Sequence, residues 1–184
     1  MEIEEKEIEG LIEFFPKVFG DQRGFFLETF NESRYNKVLK NIHFVQDNFS
    51  SSNQGVLRGL HFQKGDKAQT KLVRCLNGSI LDVVVDLRRQ SPTFGKVFSV
   101  ELTSEKKNSL LVPKGFAHGF SVLSEKAEVL YKCDALYDKA SEGGLLYNDP
   151  SLNIDWKIKP GMEIVSDKDK VHAVFSALSD DSLF

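Results

Sequence analysis

The fold is decided by residues 55–63, which read Gly-Val-Leu-Arg-Gly-Leu-His-Phe-Gln. This stretch places His61 in an apolar run that two glycines interrupt, beside Arg58 and Gln63. A second histidine, His118, follows Val-Pro-Lys-Gly-Phe-Ala, and strand-like runs lie between the two histidines. The pattern predicts an all-β protein, a double-stranded β-helix or jelly-roll barrel with a few short helices.

Short apolar runs separated by turn residues indicate that most of the chain is β-strand. The β-branched run Val83-Val84-Val85 suits a buried strand. Asn77-Gly78 lies between two predicted strands and is the strongest short signal for a β-hairpin. Asn31 is a good N-cap for a short helix that ends near Leu39. The predicted strands are 70–76, 79–87, 96–103, 109–112, 119–123 and 127–133.

The bulk composition predicts one globular domain that spans residues 1–184. A net charge of −3 with dispersed Lys and Arg does not favour nucleic-acid binding. The chain has neither a membrane-spanning apolar run nor the features of a signal peptide, so we expect no membrane partner and a cytoplasmic location. Cys75 and Cys133 are far apart on predicted strands and are expected to be buried free thiols rather than a disulfide or metal pair.

His61 is the first candidate for chemistry, although a lone histidine on a strand is more often a structural residue. Arg58, Gln63 and, one strand further on, Lys71 bring more polar groups to the same barrel interior. Such a cluster is costly to bury unless a polar ligand meets it. Metal-binding barrels of this shape usually carry a His-x-His pair, but Gln63 occupies its second position here. We therefore expect no metal and interpret His61 as a base.

Two further residues are candidates because of their surroundings. Tyr131 lies on a predicted strand, where packing is the usual role, but a phenol inside a polar barrel is a good proton donor. Asp169 belongs to the polar, irregular segment after Trp156, which we expect to fold back over the barrel mouth. Its carboxylate becomes functional only if it reaches His61.

At this point the chain resembles a known family, the dTDP-4-dehydrorhamnose 3,5-epimerases of the cupin superfamily. The resemblance covers nearly the whole chain, and its motifs occur in the family's order. They are 19–28 (FGDQRGFFLE), 44–48 (FVQDN), 56–63 (VLRGLHFQ), 71–74 (KLVR), 82–88 (DVVVDLR), 91–95 (SPTFG), 112–120 (VPKGFAHGF) and Trp156.

The resemblance implies a role for each matching residue. His61 corresponds to the general base, Asp169 to the acid that orients it, Tyr131 to the opposing general acid and Lys71 to the cation beside the sugar carbonyl oxygen. The family uses no metal or other cofactor and forms homodimers that exchange strands. The residues implied to bind the nucleotide-sugar are Phe19, Arg23, Glu28, Gln46, Asn48, Arg58, His118, Glu142 and Lys168.

The chain departs from the family's pattern at three places. Phe49 stands where many members have histidine, Thr70 stands where glycine is usual, and the spacing from Trp156 to Asp169 is about one residue looser. None of these changes affects His61 or Tyr131. The motif set also leaves alternatives open, namely an epimerase of C3 or C5 only, a ketoisomerase of a related nucleotide-sugar, and a non-catalytic sugar-binding cupin.

Overall fold

The computed structural model describes residues 1–39, 42–180 and 184. These residues form fourteen β-strands and one α-helix, α1 (Glu32–Leu39), which lies between β4 and β5. The strands are β1 (Glu2–Glu5), β2 (Ile12–Phe15), β3 (Val18–Asp21), β4 (Gly24–Leu27), β5 (Gln46–Asn53), β6 (Val56–Gln63), β7 (Lys71–Asn77), β8 (Ser79–Asp86), β9 (Val97–Thr103), β10 (Ser109–Val112), β11 (Phe116–Val122), β12 (Lys126–Cys133), β13 (Glu142–Gly144) and β14 (Ile164–Val165).

The strands form two large sheets and one separate hairpin. The first sheet has the order β1-β2-β10-β7-β12-β5, and the second has the order β13-β6-β11-β8-β9, with β14 parallel to β6. Strands β3 and β4 pair only with each other among the described residues. The prediction of an all-β barrel with a few short helices is confirmed.

The alternating side chains of β8 show where the cores lie. Val84 packs in the core between the two sheets, together with Val73 of the first sheet. Val83 and Val85 point the other way, into a second core that the carboxyl-terminal segment covers. Both faces of β8 are therefore buried, which explains its continuous apolar run. Each of these valines contributes about 1.5–3 kcal/mol by burial.

The predicted hairpin at Asn77-Gly78 is wrong. Strand β7 pairs with β10 and β12, whereas β8 pairs with β11 and β9, so the two strands belong to different sheets. Gly78 has a φ of +75°, and a side chain there would strike the carbonyl oxygen of Lys126. The Asn-Gly pair thus makes a tight left-handed turn, but the turn carries the chain from one sheet to the other.

The helix prediction is confirmed. The side-chain oxygen Oδ1 of Asn31 accepts a hydrogen bond from the Arg34 amide at 3.1 Å, which caps the first turn of α1. Tyr35 and Leu39 are buried against the outer face of the first sheet. Within the part of the chain that the structure describes, no helix has the length and apolar character needed to cross a membrane.

The two cysteines are also as predicted. Cys75 and Cys133 are free and buried. Burial raises the pKa of each thiol to about 11, so both remain protonated at neutral pH.

Candidate active site

The two histidines of the sequence motifs lie side by side on neighbouring strands. His61 of β6 is the direct cross-strand partner of His118 of β11. Close contact between the strands is possible because Gly59 and Gly119 face each other, and a side chain at Gly59 would come within 2.6 Å of the Gly119 Cα. Both imidazoles consequently line the same cavity.

His61 and Asp169 form a short contact across 108 positions of sequence. The Nε2 atom of His61 lies 2.6 Å from Oδ1 of Asp169. The other carboxylate oxygen accepts the backbone N–H of Gly59 at 3.3 Å. Burial alone would raise the pKa of Asp169, but the hydrogen bond and charge of His61, with the Gly59 N–H, hold that pKa below its usual value. Asp169 is therefore ionised and can only accept at this contact, so Nε2 of His61 is the donor and Nδ1 is the ring nitrogen that does not contact the carboxylate.

Lys71 and Tyr131 lie together on the opposite wall. Lys71 of β7 pairs with Cys133 of β12, and Tyr131 lies two residues before Cys133, so both side chains face the same side of the first sheet. Burial raises the pKa of the Tyr131 phenol, which therefore carries its proton at neutral pH. Burial lowers the pKa of the Lys71 ammonium, and the nearby carboxylates of Asp82 and Glu142 offset part of this effect.

These residues surround a cavity between the sheets. Its larger lobe has a volume of ≈ 680 Å³ and its smaller lobe a volume of ≈ 280 Å³, and the lobes share Asn48, His61, Lys71 and Tyr131. Ten of the thirteen predicted site residues line one lobe or both: Gln46, Asn48, Arg58, His61, Lys71, His118, Tyr131, Glu142, Lys168 and Asp169.

The polar residues around the cavity hold one another in place. His118 Nε2 lies 2.9 Å from Oδ2 of the fully buried Asp82. Lys168 Nζ lies 2.5 Å from Oε2 of Glu142. Burial would raise the pKa of Glu142, but Lys168 holds it below its usual value. Carboxylates therefore orient the side chains of His118 and Lys168 at the cavity wall.

The structure does not bring Phe19, Arg23 and Glu28 to this cavity. Phe19 and Arg23 lie on the β3–β4 hairpin, where the Arg23 side chain is 89% exposed and is paired with Asp21. Glu28 pairs instead with Arg34 at the start of α1. The roles implied for these three residues stay predictions.

The side-chain amide of Gln63 is less available to a ligand in the cavity than its position near His61 suggested. It is buried, and its amide nitrogen donates to the carbonyl oxygens of Lys67 and Leu136. Its side-chain oxygen accepts the N–H of Asp138 at 2.7 Å. All three bonds go to backbone groups, so the residue that replaces a possible metal ligand supports the loops at the cavity edge.

Sequence reasoning missed His172, a third histidine beside the cavity. Its Nε2 atom lies 3.5 Å from Oδ1 of Asp169, and its ring is 5.7 Å from the ring of His61. Burial lowers the pKa of His172, so its imidazole is neutral. The three-residue spacing from Asp169 places both on one side of a 3₁₀ turn, and this spacing was the available signal.

Comparison with known proteins places this chain in a family. A family model described as dTDP-4-dehydrorhamnose 3,5-epimerase matches residues 5–177. The chain belongs to the dTDP-4-dehydrorhamnose 3,5-epimerase family. This membership confirms the resemblance found in the sequence, makes the protein an isomerase by family, and confirms the cupin-type fold.

Three relatives show the range of the epimerase family around this chain. A dTDP-4-dehydrorhamnose 3,5-epimerase of Shigella flexneri is 49% identical over 92% of this chain and 93% of its own length. A dTDP-6-deoxy-D-glucose-3,5-epimerase of Legionella pneumophila, solved with dTDP-4-keto-L-rhamnose, has a TM-score of 0.95 at 44% identity and covers 99% and 96% of the two chains. A 3'-monoepimerase of Streptomyces bikiniensis, solved with dTDP-quinovose, has a TM-score of 0.87 at 30% identity, with 93% and 86% covered.

Proposed function

We propose that this protein converts dTDP-4-dehydro-6-deoxy-D-glucose into dTDP-4-dehydro-L-rhamnose by inverting C3 and C5 of the sugar. The observation that carries the proposal is the arrangement of proton-transfer groups on two opposing walls. The His61–Asp169 pair belongs to the wall of the second sheet, and Tyr131 and Lys71 belong to that of the first. Inversion of a carbon requires one group on each face of the sugar ring.

The base side of the reaction follows from the His61–Asp169 contact. C3 and C5 both flank the C4 ketone, so each carries a proton whose loss gives an enolate. Nδ1 of His61 takes that proton and the ring becomes an imidazolium. The ionised Asp169 stabilises this cation and keeps the ring oriented. A positioned base of this kind accelerates proton transfer by roughly 10²–10⁴-fold.

The acid side uses the opposite wall. Negative charge develops on the C4 oxygen as the α-proton leaves, and the ammonium of Lys71 stabilises it. A single preorganised group at such an oxygen supplies roughly 2.7–4 kcal/mol. Tyr131 then donates its phenolic proton to the other face of the same carbon. His61 releases its proton to water, and Tyr131 regains one, before the second carbon reacts.

The nucleotide diphosphate is proposed to bind to the cationic part of the cavity. Arg58 and Lys168 line the larger lobe and can make charge-assisted hydrogen bonds with phosphate oxygens. Gln46, Asn48 and Glu142 supply further polar groups around the smaller lobe. The reaction needs side chains alone, so we expect no cofactor. The cytoplasmic location stays a prediction.

A deuterium-exchange experiment tests the reaction. The protein is incubated with dTDP-4-keto-6-deoxyglucose in deuterated water, and the sugar ring is followed by NMR. We expect deuterium at both C3 and C5 and a product with both centres inverted. Deuterium at C3 alone would make the protein a monoepimerase like its Streptomyces relative. A change of carbonyl position would make it a ketoisomerase, and binding without exchange would make it a sugar-binding protein.

The homodimer is proposed from the β3–β4 hairpin. A two-stranded hairpin is marginally stable by itself in water. This one exposes Phe19, Phe25 and Phe26, which are 52%, 63% and 69% exposed. Phe19 and Phe26 are cross-strand partners with rings 6.4 Å apart, and exposed aromatic surface of this kind is typical of an interface. In a dimer with strand exchange, the hairpin would reach the cavity of the second copy. This arrangement accounts for the position of Phe19 and Arg23 outside the cavity of their own chain.

Light scattering should therefore give a mass about twice the 20.8 kDa of one chain. Replacing both Phe25 and Phe26 with aspartate should weaken the dimer and the affinity for dTDP together, because two charges would be buried in an apolar contact. Met162→Asp is the matched control, since Met162 is 64% exposed and lies outside the hairpin. A monomer at micromolar concentration for the unaltered chain would contradict the proposal.

A further inference from the structure

Three potential metal ligands converge beside the cavity. They are Nε2 of His61, Nε2 of His172 and a carboxylate oxygen of Asp169, and all three atoms lie within 4.8 Å of one another. Two imidazoles and one carboxylate form a ligand set that suits divalent transition metals. The set differs from the His-x-His arrangement that Gln63 interrupts, because two of its members come from the carboxyl-terminal segment.

The buried ring nitrogen of His172 is the observation that points to a bound ion. This Nε2 atom is buried and has no hydrogen-bond partner, although it faces Oδ1 of Asp169 at 3.5 Å. A buried nitrogen without a partner is costly, and a bound ion would satisfy it. The other carboxylate oxygen of Asp169 is held by the Gly59 N–H, so Oδ1 is the atom shared between the two imidazoles.

The ring of His172 is held in this position by the backbone. It lies flat on Gly144, and a side chain at Gly144 would come within 2.5 Å of the ring. Gly144 is the cross-strand partner of His61. The next residue, Ala173, accepts the N–H of Leu146 at 2.9 Å and fixes the segment to the sheet. The ligand is therefore oriented before any ion binds.

The distances fit a tetrahedral zinc ion after a small movement. Zinc bonds to nitrogen and oxygen are about 2.1 Å, so two ligands of one tetrahedral ion lie about 3.4 Å apart. The separation of 3.5 Å between His172 and Asp169 already matches. The His61–Asp169 separation of 2.6 Å must widen, and the His61 side chain, which is 32% exposed, borders the open cavity into which it would move.

We propose that His61, Asp169 and His172 bind one Zn²⁺ or a similar divalent transition metal ion, and that the ion inhibits the enzyme. A neutral imidazole has one lone pair. When the ion takes that pair at Nε2 of His61, the ring proton moves to Nδ1 and the base is lost. Binding depends only on the three ligands, whereas inhibition rests on the proposed role of His61.

The first arm of the test measures binding without substrate. Tag-free protein is treated with chelator, dialysed and titrated with Zn²⁺ by calorimetry, and with Co²⁺ by visible absorption. We expect one ion per chain and no thiolate-to-cobalt charge-transfer band. His172→Ala and His172→Gln should weaken Zn²⁺ binding by about tenfold or more. His43→Ala is the matched control, because His43 also contacts a carboxylate, Glu32, but lies exposed on the surface.

Equal affinity in the His172 variants, or loss of binding in His43→Ala, would overturn the proposal. Thermal melting of each variant separates loss of a metal ligand from loss of folding.

The second arm measures turnover. The chelated enzyme should be active, Zn²⁺ should inhibit it, and the His172 variants should need about tenfold more Zn²⁺ or more for the same inhibition. Activity that required added metal would refute an inhibitory site. Absence of all epimerase activity would refute the proposed function and leave the binding result intact.

Discussion

Replacing His61 with asparagine should lower kcat by roughly 10³-fold or more while the affinity for dTDP changes by no more than about twofold. The backbone N–H of Gly59 still donates to the other carboxylate oxygen of Asp169 in this variant, so Asp169 keeps one of its anchors. Asparagine has no lone pair basic enough to take a carbon-bound proton. The variant therefore removes the base and keeps the surrounding geometry.

The measurement combines steady-state turnover with calorimetric binding of dTDP. His43→Asn is the matched control, because it makes the same substitution at an exposed histidine that also contacts a carboxylate. That variant should keep normal turnover. A folded His61→Asn protein with near-normal turnover would show that another residue is the base.

Replacing Tyr131 with phenylalanine should separate hydrogen exchange from inversion. His61 and Lys71 can still form the enolate, so deuterium from the solvent should still enter the sugar beside the ketone. Return of a proton to the opposite face then depends on water, and the epimer should form more slowly by roughly 10²–10⁴-fold. The phenylalanine keeps the packing of the ring, so the melting temperature should change little.

The decisive quantity is the ratio of exchange rate to epimer formation in the variant and in the unaltered protein. Tyr137→Phe is the matched control, since Tyr137 lines the smaller lobe and its hydroxyl donates to Glu142. That variant should leave the ratio unchanged. If exchange and inversion fall together in Tyr131→Phe, or neither falls, Tyr131 is not the acid and Tyr137 becomes the next candidate.

The sequence predicted where the strands and the helix lie better than it predicted which strands pair with each other. Strand positions follow from local apolar patterns, and the capped helix at Asn31 follows from local hydrogen bonding. The Asn77-Gly78 hairpin failed because a left-handed turn has the same local chemistry whether its two strands pair or diverge into different sheets. Strand pairing in a jelly roll depends on distant segments, which a local pattern does not encode.

The candidate site shows the same difference between features that are local in sequence and contacts between distant segments. The motif around His61 predicted a base because the polar neighbours Arg58 and Gln63 are local in sequence. The contact with Asp169 spans the barrel and came only from the family resemblance. His172 was missed because its only signal was its spacing from Asp169, and Asp169 itself was assigned to the site by the family resemblance. The position of the His172 ring depends on Gly144 of β13, because a side chain at Gly144 would occupy the space that the ring fills.

The proposed base and the proposed acid lie on opposing sheets, and this placement has a consequence for how the protein can change. No described hydrogen bond joins His61 to Tyr131, so their spacing is set by the layer of side chains that keeps the sheets apart, such as Val73 and Val84. Facing sheets pack about 10 Å apart. Replacing a buried valine with a larger or smaller residue would change the distance between His61 and Tyr131 across the sugar ring. Neither His61 nor Tyr131 would itself be altered. The distance between the two proton-transfer groups can thus be adjusted from the protein's interior, by residues that do not line the cavity.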